Sequence, residues 1–191
     1  MRTLVFATNN KHKLFEVREI LDGKVLIKSL SEMGLEGDIP ETSDTLQGNA
    51  LQKALWVYER THSDCFADDT GLEVEALGGA PGVYSARYAG EHCSFDDNIN
   101  KLLSALEGNT NRKACFRTVI CLIENGEPRY FEGRVDGTIL TERYGADGFG
   151  YDPIFMPDRF AVSFAEMPLE VKNMISHRGL AVKQLVEYLL K

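Results

Sequence analysis

Leu4-Val5-Phe6-Ala7 is an unbroken apolar run that stops at Thr8-Asn9-Asn10. A short run closed by turn-forming side chains predicts a buried strand. Residues 11–21 then repeat apolar positions at helical spacing, with Leu14, Val17 and Leu21 on one face. Strand, polar turn and helix open an α/β unit. Val25-Leu26-Ile27 predicts a second strand, and residues 32–44, with Gly34, Gly37 and Pro40, a polar loop. From Thr45 to Thr61 the positions Leu46, Ala50, Leu51, Ala54, Leu55 and Tyr58 predict a long helix, with Trp56 packed on it. Strand pieces are predicted at 65–67 and 72–76, on either side of Asp68-Asp69. Ser94 and Asp97 form a capping box for a helix carrying Ile99, Leu102, Leu103 and Leu106.

Residues 114–123 are rich in Phe, Val, Ile and Thr and read as a strand. Asn125-Gly126 is a strong hairpin turn, 129–135 the returning strand, and 137–141 a further short one. Residues 145–157 read as a glycine- and proline-rich loop. Pro168 opens a short helix ending near Ile175, and Ser176 caps a last helix with Leu180, Leu185, Val186 and Leu189 toward the core. Early strand–helix alternation followed by a hairpin and C-terminal helices predicts an α/β protein with a mixed sheet. The 191 residues suit one domain, 1–191, with two lobes and a boundary near 110–145 at the hairpin.

Composition narrows the function classes. The apolar fraction of 43% and charged fraction of 26% are those of a globular protein, and no apolar run reaches the length of a membrane span. A net charge of −8 argues against general affinity for nucleic acid or anionic membrane. Four cysteines without a CxxC pair are expected to be reduced, in a cytoplasmic protein.

Against that background Asp68 and Asp69 stand out. Adjacent carboxylates repel unless a cation or proton offsets them, and a hard cation such as Mg²⁺ prefers oxygen ligands. Glu41, in the polar loop, is a third carboxylate for such a set. Thr8-Asn9-Asn10-Lys11-His12-Lys13 sits at a helix start, where free N–H groups favour anions and Lys13 reaches phosphate oxygens. The other reading of these residues is an Asn-capped helix with solvated lysines. Gly148-Phe149-Gly150-Tyr151-Asp152-Pro153 sets an aromatic between glycines, which lets the backbone approach a flat ligand. Lys172, His177 and Arg178 add donors near two helix ends.

These motifs resemble one known family. TNNKHK at 8–13, ADDTGL at 67–72, LGGAPGVYSARYAG at 77–90, GFGYDP at 148–153 and SHRG at 176–179 are similar to those of the inosine triphosphate pyrophosphatases, also described as XTP/dITP diphosphatases. The resemblance spans nearly the whole chain. It implies a long curved mixed sheet flanked by helices, in two lobes with a central nucleotide cleft, and a homodimer. It implies Mg²⁺-assisted hydrolysis of ITP, dITP and XTP to the monophosphate and pyrophosphate. On this pattern Asp69 is the proton acceptor, and Asp69, Glu41 and Asp68 gather at the metal. Thr8, Asn9, Asn10, Lys11, His12, Lys13 and Thr70 hold substrate. Phe149, Gly150, Tyr151, Asp152, Lys172, His177 and Arg178 form the base pocket, with Arg178 as a donor to the 6-oxo group. Two positions depart from the pattern. Thr70 replaces a common serine, and Gly48 stands where glutamate is frequent. A non-catalytic nucleotide-binding or sensing module is the alternative, as is a phosphatase with an aspartate nucleophile.

Overall fold

The computed structural model describes residues 2–191. The fold is mixed α/β, with a seven-strand sheet and five α-helices. Strand β1 (Arg2–Phe6) leads into helix α1 (Lys11–Leu21) and strand β2 (Val25–Lys28). Helix α2 (Leu46–Thr61) precedes strand β3 (Cys65–Val74). The two-residue strand β4 (Pro81–Gly82) and helix α3 (Phe95–Ala105) follow. Strands β5 (Lys113–Glu124) and β6 (Glu127–Ile139) form the hairpin, and β7 (Phe155–Pro157), α4 (Leu169–Ile175) and α5 (His177–Leu189) complete the chain. The strand order is β2-β1-β3-β5-β6-β7, with β4 beside β3. β1 runs parallel to both β2 and β3, whereas β3–β4 and β6–β7 are antiparallel.

Several of these elements follow directly from local chemistry. Asn10 caps α1 by accepting from the N–H groups of His12 and Lys13, and Ser94 and Asp97 make the capping box of α3. Asn125 and Gly126 both have positive φ (51° and 85°), which is the primed turn that suits a tight hairpin.

Four expectations change: 137–141 holds the end of β6 and no strand of its own, the 145–157 loop contains β7, and the other two concern the aspartates and the hairpin. The strand pieces around the aspartates are one continuous strand, so Asp68 and Asp69 lie inside β3. The hairpin is also not a separate lobe. The chain forms two compact units: residues 2–69, 118–133 and 178–191, and residues 70–117 and 134–177. The tip of the hairpin belongs to the first unit and its open end to the second.

Each unit has its own core. In the first, Leu4, Phe6, Phe66, Ile120 and Leu122 pack with Val17 and Leu21 of α1 and with Ala181, Val182 and Leu185 of α5. In the second, Leu72, Val74, Phe116 and Ile139 pack with Ile99 and Leu102 of α3 and with Ile154, Phe155 and Phe164. All four cysteines are free, and burial pushes the Cys65 and Cys121 thiols up to about 12. Among the described residues no helix is long and apolar enough to cross a membrane.

Candidate active site

Successive side chains of a strand point to opposite faces. In β3, Phe66 faces the core shared with α1 and α5, while Cys65 contacts the Ala54 carbonyl of α2. Asp68 has the parity of Phe66 and Asp69 that of Cys65. The two carboxylates therefore meet different helices, and each finds its own cations.

Asp68 is buried against α1 and α5. Its Oδ1 accepts from Lys13 Nζ at 3.1 Å and its Oδ2 from Arg178 Nε at 3.3 Å. Arg178 Nη1 also donates to Glu16 Oε2 at 2.5 Å. Burial disfavours the charged form of Asp68, but Lys13, Arg178 and Lys53 outweigh it and hold the carboxyl well below the usual range. Burial also pulls Lys13 down, and neighbouring Lys53 and Arg178 add to that. Asp68 raises Arg178 against the opposing effect of burial.

Asp69 turns to α2. Asn49 Nδ2 donates to its Oδ2 at 3.1 Å, and Lys53 Nζ lies 3.3 Å from its Oδ1. Lys53 Nζ also donates to Glu41 Oε1 at 2.5 Å. Burial raises the Asp69 pKa and Glu41 adds to it, while Lys53, Lys13 and the Asn49 hydrogen bond oppose the rise. Glu41, in the loop before α2, and Asp69, in β3, thus share one cationic nitrogen.

This arrangement tests the donor set for a metal. Two carboxylates from separate segments already converge on a single positive charge. Four acids (Glu16, Glu41, Asp68, Asp69) surround three bases (Lys13, Lys53, Arg178), so the group keeps one net negative charge when all are ionised. Hard oxygen ligands with excess negative charge fit Mg²⁺, which is often held by one or two carboxylates plus substrate phosphates. Among the described residues there is no group of three or more acids, histidines or cysteines arranged for a metal. Glu41 and Asp69 are the two carboxylates that meet at one nitrogen, Lys53 Nζ, while Asp68, expected beside the metal, faces Lys13 and Arg178.

The polar turn before α1 is largely occupied with shaping itself. Thr8 Oγ1 accepts from the Asn10 N–H, Asn10 caps the helix, and Asn9 donates to the Gly37 carbonyl. Lys11 and His12 are exposed.

The second unit gathers Phe149, Asp152, Lys172 and His177. Lys172 Nζ donates to Asp152 Oδ2 at 2.7 Å, and both side chains are buried. The same Oδ2 accepts from the Phe149 N–H at 2.9 Å. The ammonium lies 5.2 Å from the Phe149 ring centre, a cation–π contact. Gly148 is required here. Its φ is +75°, and a Cβ would stand 2.2 Å from Asp152 Oδ2. His177 stacks on Phe116, ring centres 4.5 Å apart. Tyr151 is buried in the second core, and its hydroxyl donates to the Ser85 carbonyl at 2.8 Å, tying this loop to the glycine-rich segment 77–90. Gly150 takes a left-handed φ of 62°, and Thr70 is half-buried at the start of this unit.

Reading apolar periodicity missed Glu16, Asn49 and Lys53. The latter two sit on the buried stripe of α2 with Leu46, Ala50, Ala54 and Val57. Polar residues recurring on an apolar face were the available signal.

Gly48 also finds a physical reason. It is the third residue of α2, where a glutamate would complete a capping box with Thr45. Here Thr45 Oγ1 accepts from the Gly48 N–H, and the reciprocal bond, from the Thr45 N–H, goes to Ser43 Oγ at 3.3 Å. Ser43 Oγ would lie 2.0 Å from a Cβ at position 48. The hydroxyl of Ser43 fills the space and does the work of the absent side chain.

A model of the Ham1 family matches residues 4–188. The chain belongs to the Ham1 family. Its similarity to other Ham1 proteins runs end to end. The dITP/XTP pyrophosphatase of Porphyromonas gingivalis is 60% identical over 191 residues, covering 100% of this chain and 98% of the relative. That of Flavobacterium johnsoniae is 55% identical over 186 residues, covering 97% of each. The solved Ham1 structure from Coxiella burnetii matches with a TM-score of 0.91 and 40% identity, covering 100% of this chain and 99% of that one. The Staphylococcus aureus Ham1 structure gives 0.89 and 39%, covering 99% and 98%.

Proposed function

We propose that this Ham1 protein hydrolyses the triphosphates of deaminated purines (ITP, dITP and XTP) to the monophosphate and pyrophosphate, and so removes them from the nucleotide pool. The observation that carries the reading is full-length identity of 60% to a dITP/XTP pyrophosphatase. The chemistry of the Asp69 cluster agrees with it.

In this reading Asp69 accepts the proton of the attacking water. Lys53 and Asn49, one on each oxygen of its carboxylate, favour the ionised form that takes the proton. Lys13 and Lys53 supply the positive charge that neutralises phosphate oxygens as pyrophosphate leaves in this reading. Residues 8–12 bind the phosphates, chiefly through the backbone of the turn at the helix start. Glu41 and Asp69 would hold Mg²⁺, which supplies Lewis-acid polarisation of the phosphates and a more acidic water. We assign Asp68 to anchoring Lys13 and Arg178.

Base choice rests on hydrogen-bond polarity. Hypoxanthine and xanthine present a 6-oxo acceptor, and adenine a 6-amino donor. Lys172 carries only donors, so it pairs with the oxo group and repels the amino group. Phe149 stacks on the base, while Gly150, Tyr151, Asp152 and His177 shape its pocket. The working enzyme in this reading is a cytoplasmic homodimer, without affinity for nucleic acid or membrane.

The test is a panel of nucleoside triphosphates incubated with the chain and Mg²⁺, assayed for pyrophosphate. ITP, dITP and XTP are expected to turn over about 10⁴-fold faster than ATP, the scale at which a site leaves the wrong partner's polar groups unpaired. Asp69→Asn is expected to lose about 10²- to 10⁴-fold in rate, the usual contribution of a general base, with its fold intact. Orthophosphate as the product, or near-normal turnover by Asp69→Asn, overturns the scheme.

A further inference from the structure

Asn49 is completely buried in α2 and makes two hydrogen bonds that define one another. Its Oδ1 accepts from the Ser43 N–H at 2.9 Å, and its Nδ2 donates to Asp69 Oδ2 at 3.1 Å. A backbone N–H only donates, so Ser43 fixes which end of the amide faces Asp69. The reversed amide would set oxygen against carboxylate oxygen and nitrogen against an N–H.

We propose that Asn49, aligned by Ser43, is a positioning residue for Asp69. This rests on the reading of Asp69 as proton acceptor. Asn49 and Lys53 are one helical turn apart, and each takes a different oxygen of the carboxylate. Two donors on one rigid element fix the plane of the carboxylate and hence the direction of its remaining lone pairs. Lys53 also serves Glu41. The Asn49 oxygen is held by the Ser43 backbone and its nitrogen is turned to Asp69, whereas the single nitrogen of Lys53 is divided between two carboxylates. Catalytic geometry tolerates errors of only about 0.5 Å, so a carboxylate rotated by loss of one donor is a poorer base without any loss of substrate contacts.

Asn49→Asp isolates this role. The new side chain keeps the shape and keeps an oxygen for the Ser43 N–H, but turns an oxygen instead of a donor toward Asp69. The readouts are kcat and KM for dITP per folded enzyme, and the melting temperature of the metal-free protein. Asn49→Asp is expected to lower kcat about tenfold or more with KM within about threefold, the pattern of an interaction that matters in the transition state. It also lowers the melting temperature without metal, because two carboxylates now abut. In the double variant Asn49→Asp/Asp69→Asn the donor–acceptor pair is restored in reverse, so the melting temperature recovers while turnover does not. Asn49→Ala, which loses the donor without adding charge, also lowers kcat, and adds no loss on top of Asp69→Asn. Wild-type kcat in both Asn49 variants, a rise in KM alone, a melting loss undiminished in the double variant, or full additivity of Asn49→Ala with Asp69→Asn each overturns the proposal. Near-normal turnover by Asp69→Asn instead removes the reading of Asp69 itself, so the two failures are distinguishable.

Discussion

Asp68 shows how much a single buried carboxylate does in this fold. It is 2% exposed, and its two oxygens neutralise Lys13, which is partly buried, and Arg178, which is fully buried. Removing one partner of such a pair leaves uncompensated charge in the interior, which costs about 3–5 kcal/mol. Asp68→Asn, matched in shape, is therefore expected to destabilise the protein by about that amount at pH 7. The pH dependence has a definite sign. The folded carboxyl titrates below its unfolded value of about 3.9, so its contribution is present above that pH and is lost as pH falls toward the folded pKa. Urea unfolding of both proteins from pH 7 to pH 3 is expected to show a gap that narrows in acid. A constant gap would show that folding leaves the Asp68 pKa unshifted, and a widening gap that folding raises it. The importance of Asp68 was legible in the chain, since adjacent carboxylates in an apolar run demand an explanation. Its partners were not. Glu16 and Arg178 are 162 residues apart, and no local pattern announces their contact.

At the scale of elements the local signals were strong where capping and turn chemistry set the boundaries. The α1 span, the Thr45 cap of α2, the Ser94 box and the Asn125-Gly126 turn are all written in short stretches of sequence. The polar stripe inside α2 was hidden, because Asn49 and Lys53 count against burial in any hydrophobic reading yet are buried by their partners. The first turn of α2 offers a measurable case. Glycine within a helix is about 1 kcal/mol less favourable than alanine, so Gly48→Ala would stabilise an ordinary helix. Here the new Cβ would meet Ser43 Oγ at 2.0 Å and Ser43 Cβ at 2.7 Å, and rotating the hydroxyl cannot relieve the second contact. Gly48→Ala is expected to lose about 1–2 kcal/mol, as over-packing does. Ser43→Gly/Gly48→Ala is expected to be more stable than the sum of its single variants. Additive melting shifts in that double-mutant cycle would show that Ser43 does not occupy the space.

Across the whole molecule, the class of fold was readable and its division was not. Alternation of strand and helix followed by a hairpin signals a mixed sheet, and seven strands in parallel and antiparallel pairings form one. The hairpin, however, suggested a separate lobe, whereas its strands supply both cores. In β3, Phe66 belongs to the first core and Leu72 and Val74 to the second. In β5, Ile120 and Leu122 belong to the first and Ala114 and Phe116 to the second. In β6, Phe131 packs on the first and Val135 and Ile139 on the second. Periodicity within a strand reports which face is buried, not where along the strand one core gives way to another. This sharing has a consequence for stability. Unfolding either core frees one half of three strands and strips the other half of its register, so neither core is expected to melt alone. Leu122→Ala and Leu102→Ala each empty a fully buried site, one per core, and each is expected to cost about 2–5 kcal/mol. Calorimetry should show one transition in both variants, shifted as a whole, with calorimetric and van't Hoff enthalpies equal. Two separated transitions, each moved by only one of the substitutions, would show that the shared strands do not couple the cores.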